Sequence, residues 1–147
     1  MTMANFPKTC LVIPCYNEES RLDFSKFENL PGELSFLFVN DGSADGTLKL
    51  LKSHESPKFQ VLDLGRNHGK AEAVRRGMLY LAGLPSFKEL EWAGYWDADL
   101  ATPLSELEWY FKYMDLYAPG VSAVFGSRIN RLGGKIERSF SRHLTGR

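Results

Sequence analysis

Two aspartates separated by one small residue, Asp97 and Asp99, are the residues whose types and spacing most directly indicate chemistry. In an extended chain, residues two positions apart point the same way, and Ala98 between them leaves room for a ligand. Two carboxylates at one site repel each other unless a cation or strong donors compensate them. The pair therefore predicts Mg²⁺ or Mn²⁺ shared with a phosphate. The alternative is a solvated turn in which Asp99 caps the following helix.

A second polar segment, residues 41–47, follows an apolar run and combines Asp41 with two glycines. Glycine permits positive φ and lets a flat ligand approach the backbone, and the Asp41 carboxylate can accept a hydrogen bond from a nucleobase ring N–H. The same residue types also form an ordinary tight turn and helix cap, so both interpretations stay open. The segment matches neither the phosphate-binding P-loop nor the G-x-G-x-x-G dinucleotide pattern, which leaves kinase and NAD chemistry unsupported.

Lys70 stands at the start of a segment with helical periodicity. Its ammonium and the nearby backbone N–H groups can meet a phosphate there, or the side chain is simply an exposed surface charge. The three histidines, His54, His68 and His143, show neither metal-helix spacing nor a Ser-His-Asp arrangement. We interpret them as structural or surface residues.

The net charge is zero, with 18 basic and 18 acidic residues, but the charges are unevenly distributed. Residues 1–127 carry a net charge of −5, whereas residues 128–147 carry +5. Such a basic segment indicates a nucleic-acid tail, a solvated face or a cationic element beside an anionic ligand. Because the segment has few aromatic residues for base stacking and the rest of the chain is acidic, we expect no nucleic-acid partner.

Short apolar runs alternate with longer segments of helical period. Strands are predicted at residues 10–13, 34–39, 59–62, 93–96 and 121–125. Helices are predicted at residues 20–30 and 70–84 and from residue 102 onward. A further helix is predicted to run through residue 51, with its cap at residue 43 or 45. This alternation predicts an α/β fold with a mostly parallel sheet and helices on both faces. Ligands of such sheets bind beyond the carboxyl ends of the strands, which is where the polar segments fall.

Length and composition fit one domain over residues 1–147, with 44% hydrophobic residues as core material. Cys10 and Cys15 lie in one extended segment, about 16 Å apart and beyond the roughly 7 Å that a disulfide spans, so we expect buried, reduced thiols. Residues 1–8 lack the apolar core that is typical of a secretory leader, and the sequence has no run of about 18 apolar residues, so we expect a cytoplasmic location.

Five ordered segments resemble the family 2 glycosyltransferases of GT-A fold. They are residues 12–19 (VIPCYNEE), 39–47 (VNDGSADGT), 67–70 (NHGK), 97–99 (DAD) and 126–128 (GSR). Residues 97–103 (DADLATP) and the pair Gly69-Lys70 with residues 73–75 (AVR) look most like the polyprenyl-phosphate branch, the dolichyl-phosphate glucose and mannose synthases and their bacterial relatives. Each motif alone is weak, whereas the ordered set is specific.

The resemblance implies a metal-dependent transferase that moves a hexose, with inversion, from a UDP- or GDP-sugar to a dolichyl or undecaprenyl phosphate or another acceptor, in contact with the cytoplasmic face of a membrane. It implies that Asp97, Asp99 and Arg128 are catalytic and that Asp97 and Asp99 hold Mg²⁺ or Mn²⁺. The implied nucleotide-sugar ligands are Pro14, Tyr16, Glu18, Asp41, Lys70, Asp97, Ala98, Arg138 and Arg142, with Asp41 at the base and the arginines at the phosphates. A lipid phosphate is already anionic, so no protein base is needed to activate it.

Two positions depart from the family pattern, and both leave the choice of donor open. Asn40 stands where many members have a second Asp, and Ala101 stands where some mannose synthases have Gln. Family members continue beyond Arg147 into elements that complete the acceptor site. The resemblance therefore implies a donor-binding portion with its basic segment, residues 128–147, at the end of the sequence. The alternative, from a different class, is a catalytically incomplete module that binds a nucleotide or a protein partner.

Overall fold

The computed structural model describes residues 6–28, 30 and 32–126. These residues form strands and helices in alternation. The elements are β1 (Thr9–Cys15), α1 (Ser25–Glu28), β2 (Leu34–Asn40), α2 (Thr47–Ser53), β3 (Phe59–Asp63), α3 (Lys70–Gly83), a 3-10 helix (Pro85–Glu89), β4 (Trp92–Tyr95) and α4 (Glu106–Tyr117). None of the helices in this described part is long and apolar enough to cross a membrane.

The strands form one parallel sheet in the order β3-β2-β1-β4, which confirms the expected α/β class. Cys15 is in register with Asn40, and Asn40 with Asp63, so β1, β2 and β3 end at the same edge. The chain order reverses at β1, which lies between β2 and β4. The crevice beyond the carboxyl ends of β1 and β4 is the position where open α/β sheets bind ligands.

One face of the sheet carries a core dominated by phenylalanine. Phe24 and Phe27 pack on Phe36, Phe38 and Phe59, with Phe24 and Phe38 ring centroids 5.1 Å apart. His54 stacks on Phe24 with its ring centroid 3.9 Å away. That contact confirms the structural interpretation of this histidine.

The other face of the sheet is covered by α3, and the predicted apolar stripe is confirmed in part: Leu81 is buried, and Val74 and Met78 are half-buried. Ala73, Gly77 and Leu81 are buried, whereas Ala71, which the predicted stripe included, is exposed. A methyl group added to Gly77 would lie 2.5 Å from a Val12 side-chain carbon, so the helix approaches the sheet closely there. Hydropathy ranks large apolar residues highest and therefore overlooks a contact made by small ones.

Three predicted elements differ from the structure. The helix expected at residues 20–30 is only α1, because the chain first makes a turn in which Ser25 N–H donates to Asp23 Oδ1 (3.1 Å). The helix expected from Thr102 begins at Glu106. The fifth strand expected at residues 121–125 is wrong: residues 121–126 form no strand. A strand forms only when its backbone pairs with a neighbouring strand. Here a cavity of about 740 Å³, lined by β4 and by residues 122–126, lies beside β4 in place of a paired strand.

Candidate functional site

Four loops follow the carboxyl ends of the four strands and form the edge where the site is expected. We name them by their strands: the β1 loop (residues 16–19), the β2 loop (residues 41–46), the β3 loop (residues 64–69) and the β4 loop (residues 96–105). Each contains one of the polar segments that the sequence pointed to. Their mutual hydrogen bonds decide which of those polar side chains remain available to a ligand.

The β1 loop is bound to the β2 loop by side chains of both motifs. Asn17 has a φ of +53°, and its backbone N–H donates to Ser43 Oγ (3.0 Å) while its own Oδ1 accepts from Ala44 N–H (2.8 Å). Glu18 N–H donates to Thr47 Oγ1 (2.8 Å). The side chains of Asn17, Ser43 and Thr47 therefore stabilise the backbone of the two loops.

Acidic residues extend the same network. Glu19 Oε2 accepts from Gly46 N–H (2.9 Å), and a Cβ at Gly46 would lie 2.1 Å from the Glu19 carboxylate. Asp45 Oδ1 accepts from the N–H of Thr47, the first residue of α2 (3.0 Å), although Gly46, and not the expected Ser43 or Asp45, occupies the N-cap position. The hydrogen bonds from Thr47 lower the pKa of the Asp45 carboxyl below its usual value.

The Asp41 carboxylate binds the β3 loop. Its side chain is buried, and its two oxygens accept from His68 N–H and Gly69 N–H, each at 2.8 Å. At the next residue, Gly42, φ is +65° and a Cβ would lie 2.2 Å from the Arg66 carbonyl carbon. Sequence reasoning missed this structural role of Asp41. An ionised carboxylate has about four acceptor positions, so the expected contact with a nucleobase stays a prediction.

Lys70 is the first residue of α3, as the sequence predicted, and it forms an ion pair with Asp97 of the β4 loop. The Lys70 side chain is 58% exposed and that of Asp97 is 30% exposed, so the pair lies at the mouth of the site. In this arrangement one Asp97 oxygen is occupied by an ammonium group.

Asp99 lies in a turn, which is the alternative that the sequence offered to a metal-binding role. Its Oδ1 accepts from Ala101 N–H (3.0 Å), and Leu100 between them has a φ of +50°. The chain turns at residues 98–99, and the Ala98 side chain is buried in the phenylalanine-rich core cluster. The helix that follows begins too late for Asp99 to cap it, because the residue preceding α4 is Ser105.

Glu18 carries a carboxylate oxygen without a partner. Oε1 accepts from Arg21 (2.9 Å), whereas Oε2 is buried and makes no hydrogen bond with the part of the chain that the structure describes. Burial raises the pKa of Glu18; the Arg21 charge opposes this and the nearby negative charge of Asp99 adds to it. Glu18 thus presents an unsatisfied acceptor in the β1 loop.

A cavity of about 290 Å³ lies between the β1, β2 and β3 loops. Its lining includes five of the predicted nucleotide-sugar ligands, Pro14, Tyr16, Glu18, Asp41 and Lys70. Asp97 adjoins this cavity through its ion pair with Lys70. Arg128, Arg138 and Arg142, the predicted phosphate ligands, lie outside the described residues.

The acidic side chains at this edge fit a hard divalent cation that is shared with a ligand. Asp97, Asp99 and Glu18 offer oxygen donors, the type that Mg²⁺ prefers, and the Glu18 Oε2 atom is unsatisfied. Within residues 6–28, 30 and 32–126, no three His, Cys, Asp or Glu side chains converge to hold a metal ion. Mg²⁺ is usually held by one or two carboxylates together with substrate phosphates, so a protein-only cage is not required.

Comparison with known proteins identifies the class. Residues 10–144 match the model of glycosyl transferase family 2. The chain therefore belongs to this family, as the five ordered motifs implied.

Several curated relatives are similar to this chain. The dolichyl-phosphate beta-glucosyltransferase of Drosophila melanogaster is 38% identical over 88 residues, which are 50% of this chain and 27% of that protein. The bactoprenol glucosyl transferase of Shigella phage SfX is 27% identical over 143 residues, covering 89% of this chain and 43% of the relative. The uncharacterized glycosyltransferase YkcC of Bacillus subtilis is 28% identical over 131 residues, 84% of this chain and 38% of the relative. The chain thus spans less than half the length of these relatives.

A solved structure shares the fold. The crystal structure of S. aureus TarS 1-349 superposes with a TM-score of 0.55 and 21% identity, over 74% of this chain and 32% of that one. Together with the parallel sheet and its flanking helices, this similarity confirms the expected GT-A fold.

Proposed function

We propose that this chain is the donor-binding part of a glycosyltransferase that moves a hexose, with inversion, from a nucleotide diphosphate sugar to a polyprenyl phosphate. The observation that carries the proposal is the cavity in which Tyr16, Glu18, Asp41 and Lys70 converge, next to Asp97. It lies beyond the carboxyl ends of β1, β2 and β3, at the edge where such sheets bind nucleotides. The names of the glucosyltransferase relatives support the polyprenyl phosphate acceptor.

The cavity has the chemistry for a nucleoside. Its volume of about 290 Å³ is close to the lower limit for small-molecule pockets, roughly 300 Å³, so it suits the nucleoside and leaves the diphosphate outside. Tyr16 is 47% exposed and offers an aromatic face on which a base can stack. Glu18 Oε2 offers an unsatisfied acceptor to a base or ribose donor group.

The diphosphate is assigned to the mouth of the cavity. Lys70 supplies an ammonium there, and Asp97 and Asp99 are the residues that would hold Mg²⁺ or Mn²⁺. When bound, such a cation stabilises the negative charge that develops on the leaving diphosphate. Further phosphate ligands in this assignment are Arg128, Arg138 and Arg142, which lie outside the described residues.

The acceptor chemistry follows from charge. An oxygen of the lipid phosphate attacks the anomeric carbon, a new carbon–oxygen bond forms, and the bond to the nucleotide diphosphate breaks with its electrons leaving on that diphosphate. A single displacement of this kind inverts the configuration. The attacking oxygen is already anionic, so the protein needs to supply only position and electrostatic stabilisation. Because such acceptors reside in a bilayer, the proposal places the chain at the cytoplasmic face of a membrane.

Calorimetric titration of the chain with UDP and GDP, with and without Mn²⁺, tests the proposal. We expect one nucleotide to bind, and to bind more tightly with Mn²⁺. In Asp99→Asn the Mn²⁺-dependent gain should be lost, whereas the control Asp115→Asn, which removes an exposed carboxylate on α4, should keep it. No Mn²⁺-linked binding of either nucleotide would contradict the proposal.

A second candidate function is nucleotide binding without sugar transfer. It is favoured by one observation, that the cavity lined by Tyr16, Glu18, Asp41 and Lys70 accounts for nucleotide binding by itself. Incubating the chain with Mn²⁺, labelled UDP-glucose or GDP-mannose and a polyprenyl phosphate separates the two candidates. Labelled lipid supports the transferase, and nucleotide binding without labelled lipid supports the module.

A further inference from the structure

Lys70 and Asp97 join two loops that the proposed donor site uses. The Lys70 ammonium lies against Asp97 Oδ1, although the residues are 27 positions apart. The backbone of Lys70 follows directly on Gly69, whose N–H is bound by the buried Asp41 carboxylate. The start of α3 is thereby fixed, and the lysine side chain extends from it to the carboxylate that the proposed function assigns to a divalent cation.

The local charges explain why a lysine is needed there. Asp97 and Asp99 follow β4 and Glu18 follows β1, so three carboxylates lie at the carboxyl edge of two neighbouring strands. Ion pairs with Lys70 and Arg21 compensate Asp97 and Glu18. Without ligands, removal of the Lys70 charge would leave Asp97 uncompensated beside two other acidic groups.

The same ammonium competes with a metal ion for Asp97. A carboxylate oxygen that accepts from a lysine is a poorer ligand, and the positive charge of the lysine repels a second cation. The Lys70 side chain is 58% exposed, and exposed ion pairs are weak, so the side chain can leave Asp97 at small cost. A diphosphate bound at the start of α3 would offer the ammonium a stronger, doubly charged partner.

We propose that Lys70 withholds Asp97 from divalent cations in the nucleotide-free protein and releases it when a nucleotide diphosphate takes over the ammonium. Nucleotide and cation then bind together, and either one alone binds weakly. This inference rests on the proposed function, because it uses the assignment of Asp97 to the cation. It adds a specific role for Lys70, which sets the order and the coupling of ligand binding.

Mn²⁺ binding to the whole chain without nucleotide tests the inference, with free Mn²⁺ followed by its electron paramagnetic resonance signal. We expect Lys70→Gln to bind Mn²⁺ roughly fivefold more tightly than the unaltered chain, the factor that corresponds to one exposed ion pair. Lys49→Gln, which removes the charge of an exposed lysine on α2, should change the affinity by less than about twofold, and Lys70→Arg should keep the low affinity. If Lys70→Gln does not fold, as judged by circular dichroism, Lys70→Ala provides the same comparison.

A second substitution tests whether the gain in Mn²⁺ affinity arises at Asp97. Adding Asp97→Asn to Lys70→Gln should remove the gain, since the released ligand is then gone. An affinity of Lys70→Gln equal to or below that of the unaltered chain, or a gain that persists in the double variant, would overturn the inference. The proposed function fails in a different way, by the absence of Mn²⁺-linked UDP or GDP binding in the unaltered chain.

Discussion

The backbone N–H of Gly69 donates a 2.8 Å hydrogen bond to Oδ2 of Asp41, a buried carboxylate 28 residues earlier in the chain. The other oxygen of Asp41 accepts from His68 N–H at the same distance. Asp41 therefore fixes the residues that immediately precede Lys70 and α3. Asp41, which the family resemblance assigns to the nucleobase, therefore also stabilises the adjacent β3 loop.

Asp41→Asn should destabilise the chain by about 1 to 3 kcal/mol, because in this buried side chain the amide NH₂ replaces an acceptor that faces a backbone N–H donor. Urea unfolding followed by circular dichroism measures the change. Asp115→Asn makes the same chemical substitution at an exposed site on α4 and should stay within about 0.5 kcal/mol of the parent. Equal stabilities of the two variants would contradict the structural role of Asp41.

Substitution by alanine should change the stability of the chain in opposite directions at two glycines of α3. Alanine is the better helix former by about 1 kcal/mol, so Gly83→Ala, where a Cβ meets nothing within 4 Å, should leave stability unchanged or raise it by up to that amount. At Gly77 the Cβ would lie 2.5 Å from Val12 and 2.9 Å from Val39 side-chain carbons. Overpacking of this kind typically costs about 1 to 3 kcal/mol, which exceeds the gain in propensity.

Thermal unfolding of both alanine variants checks this prediction. The sign of the difference between them matters more than its size, since both share the same helix and the same substitution. A Gly77→Ala variant as stable as Gly83→Ala would mean that α3 does not approach β1 and β2 as closely as described.

The sequence identified the strands that carry the site because parallel strands buried on both faces are nearly continuous apolar runs, as in residues 10–13 and 34–39. It also located the polar segments at their carboxyl ends. It did not distinguish side chains that bind ligands from those that bind backbone. The side-chain chemistry is the same in both roles for Asp41, Asn17 and Thr47. Only the position of the neighbouring loop decides whether such a side chain binds backbone or a ligand.

The errors have equally local causes. Residues 121–125 have strand composition, but strand formation depends on a pairing partner that a local pattern does not contain. The predicted stripe of α3 omitted Gly77 because this residue contributes close approach rather than apolar surface. The ion pair between Lys70 and Asp97 joins residues 27 positions apart, and no local pattern encodes it.

Cys10 and Cys15 should resist thiol reagents in the folded chain. Both are free and buried, as the sequence predicted; burial raises the pKa of each thiol, and the charge of Glu18 raises that of Cys15 further. The thiolate is the reactive form, so at pH 8 a disulfide reagent such as DTNB should label neither residue within minutes and both after unfolding in urea. Ser86→Cys places a thiol at an exposed position and should add one rapidly reacting group. Rapid labelling of the unaltered folded chain would contradict the buried environment.

Glu72, in the first turn of α3, should make the free energy of unfolding depend on pH. Hydrogen bonds from Arg75 and Arg76 lower the pKa of Glu72 to about 2, below its usual value of 4.5. The folded state therefore binds the proton less readily than the unfolded chain, so the stabilisation is fully present above about pH 5 and is lost as the pH falls toward 2. The group is exposed and screened by solvent, so we expect a small effect.

Urea unfolding of Glu72→Gln and of the unaltered chain between pH 2 and pH 7 measures this contribution as the difference in their free energies of unfolding. The difference should be constant from pH 5 to pH 7, with the unaltered chain the more stable, and should shrink steadily between pH 5 and pH 2. Glu55→Gln removes an exposed carboxylate that forms no ion pair among the described residues, and its difference from the unaltered chain should be smaller over the whole range. A difference for Glu72→Gln that does not vary below pH 5, or that grows with acid, would show that the two arginines do not hold this carboxylate in its ionised form.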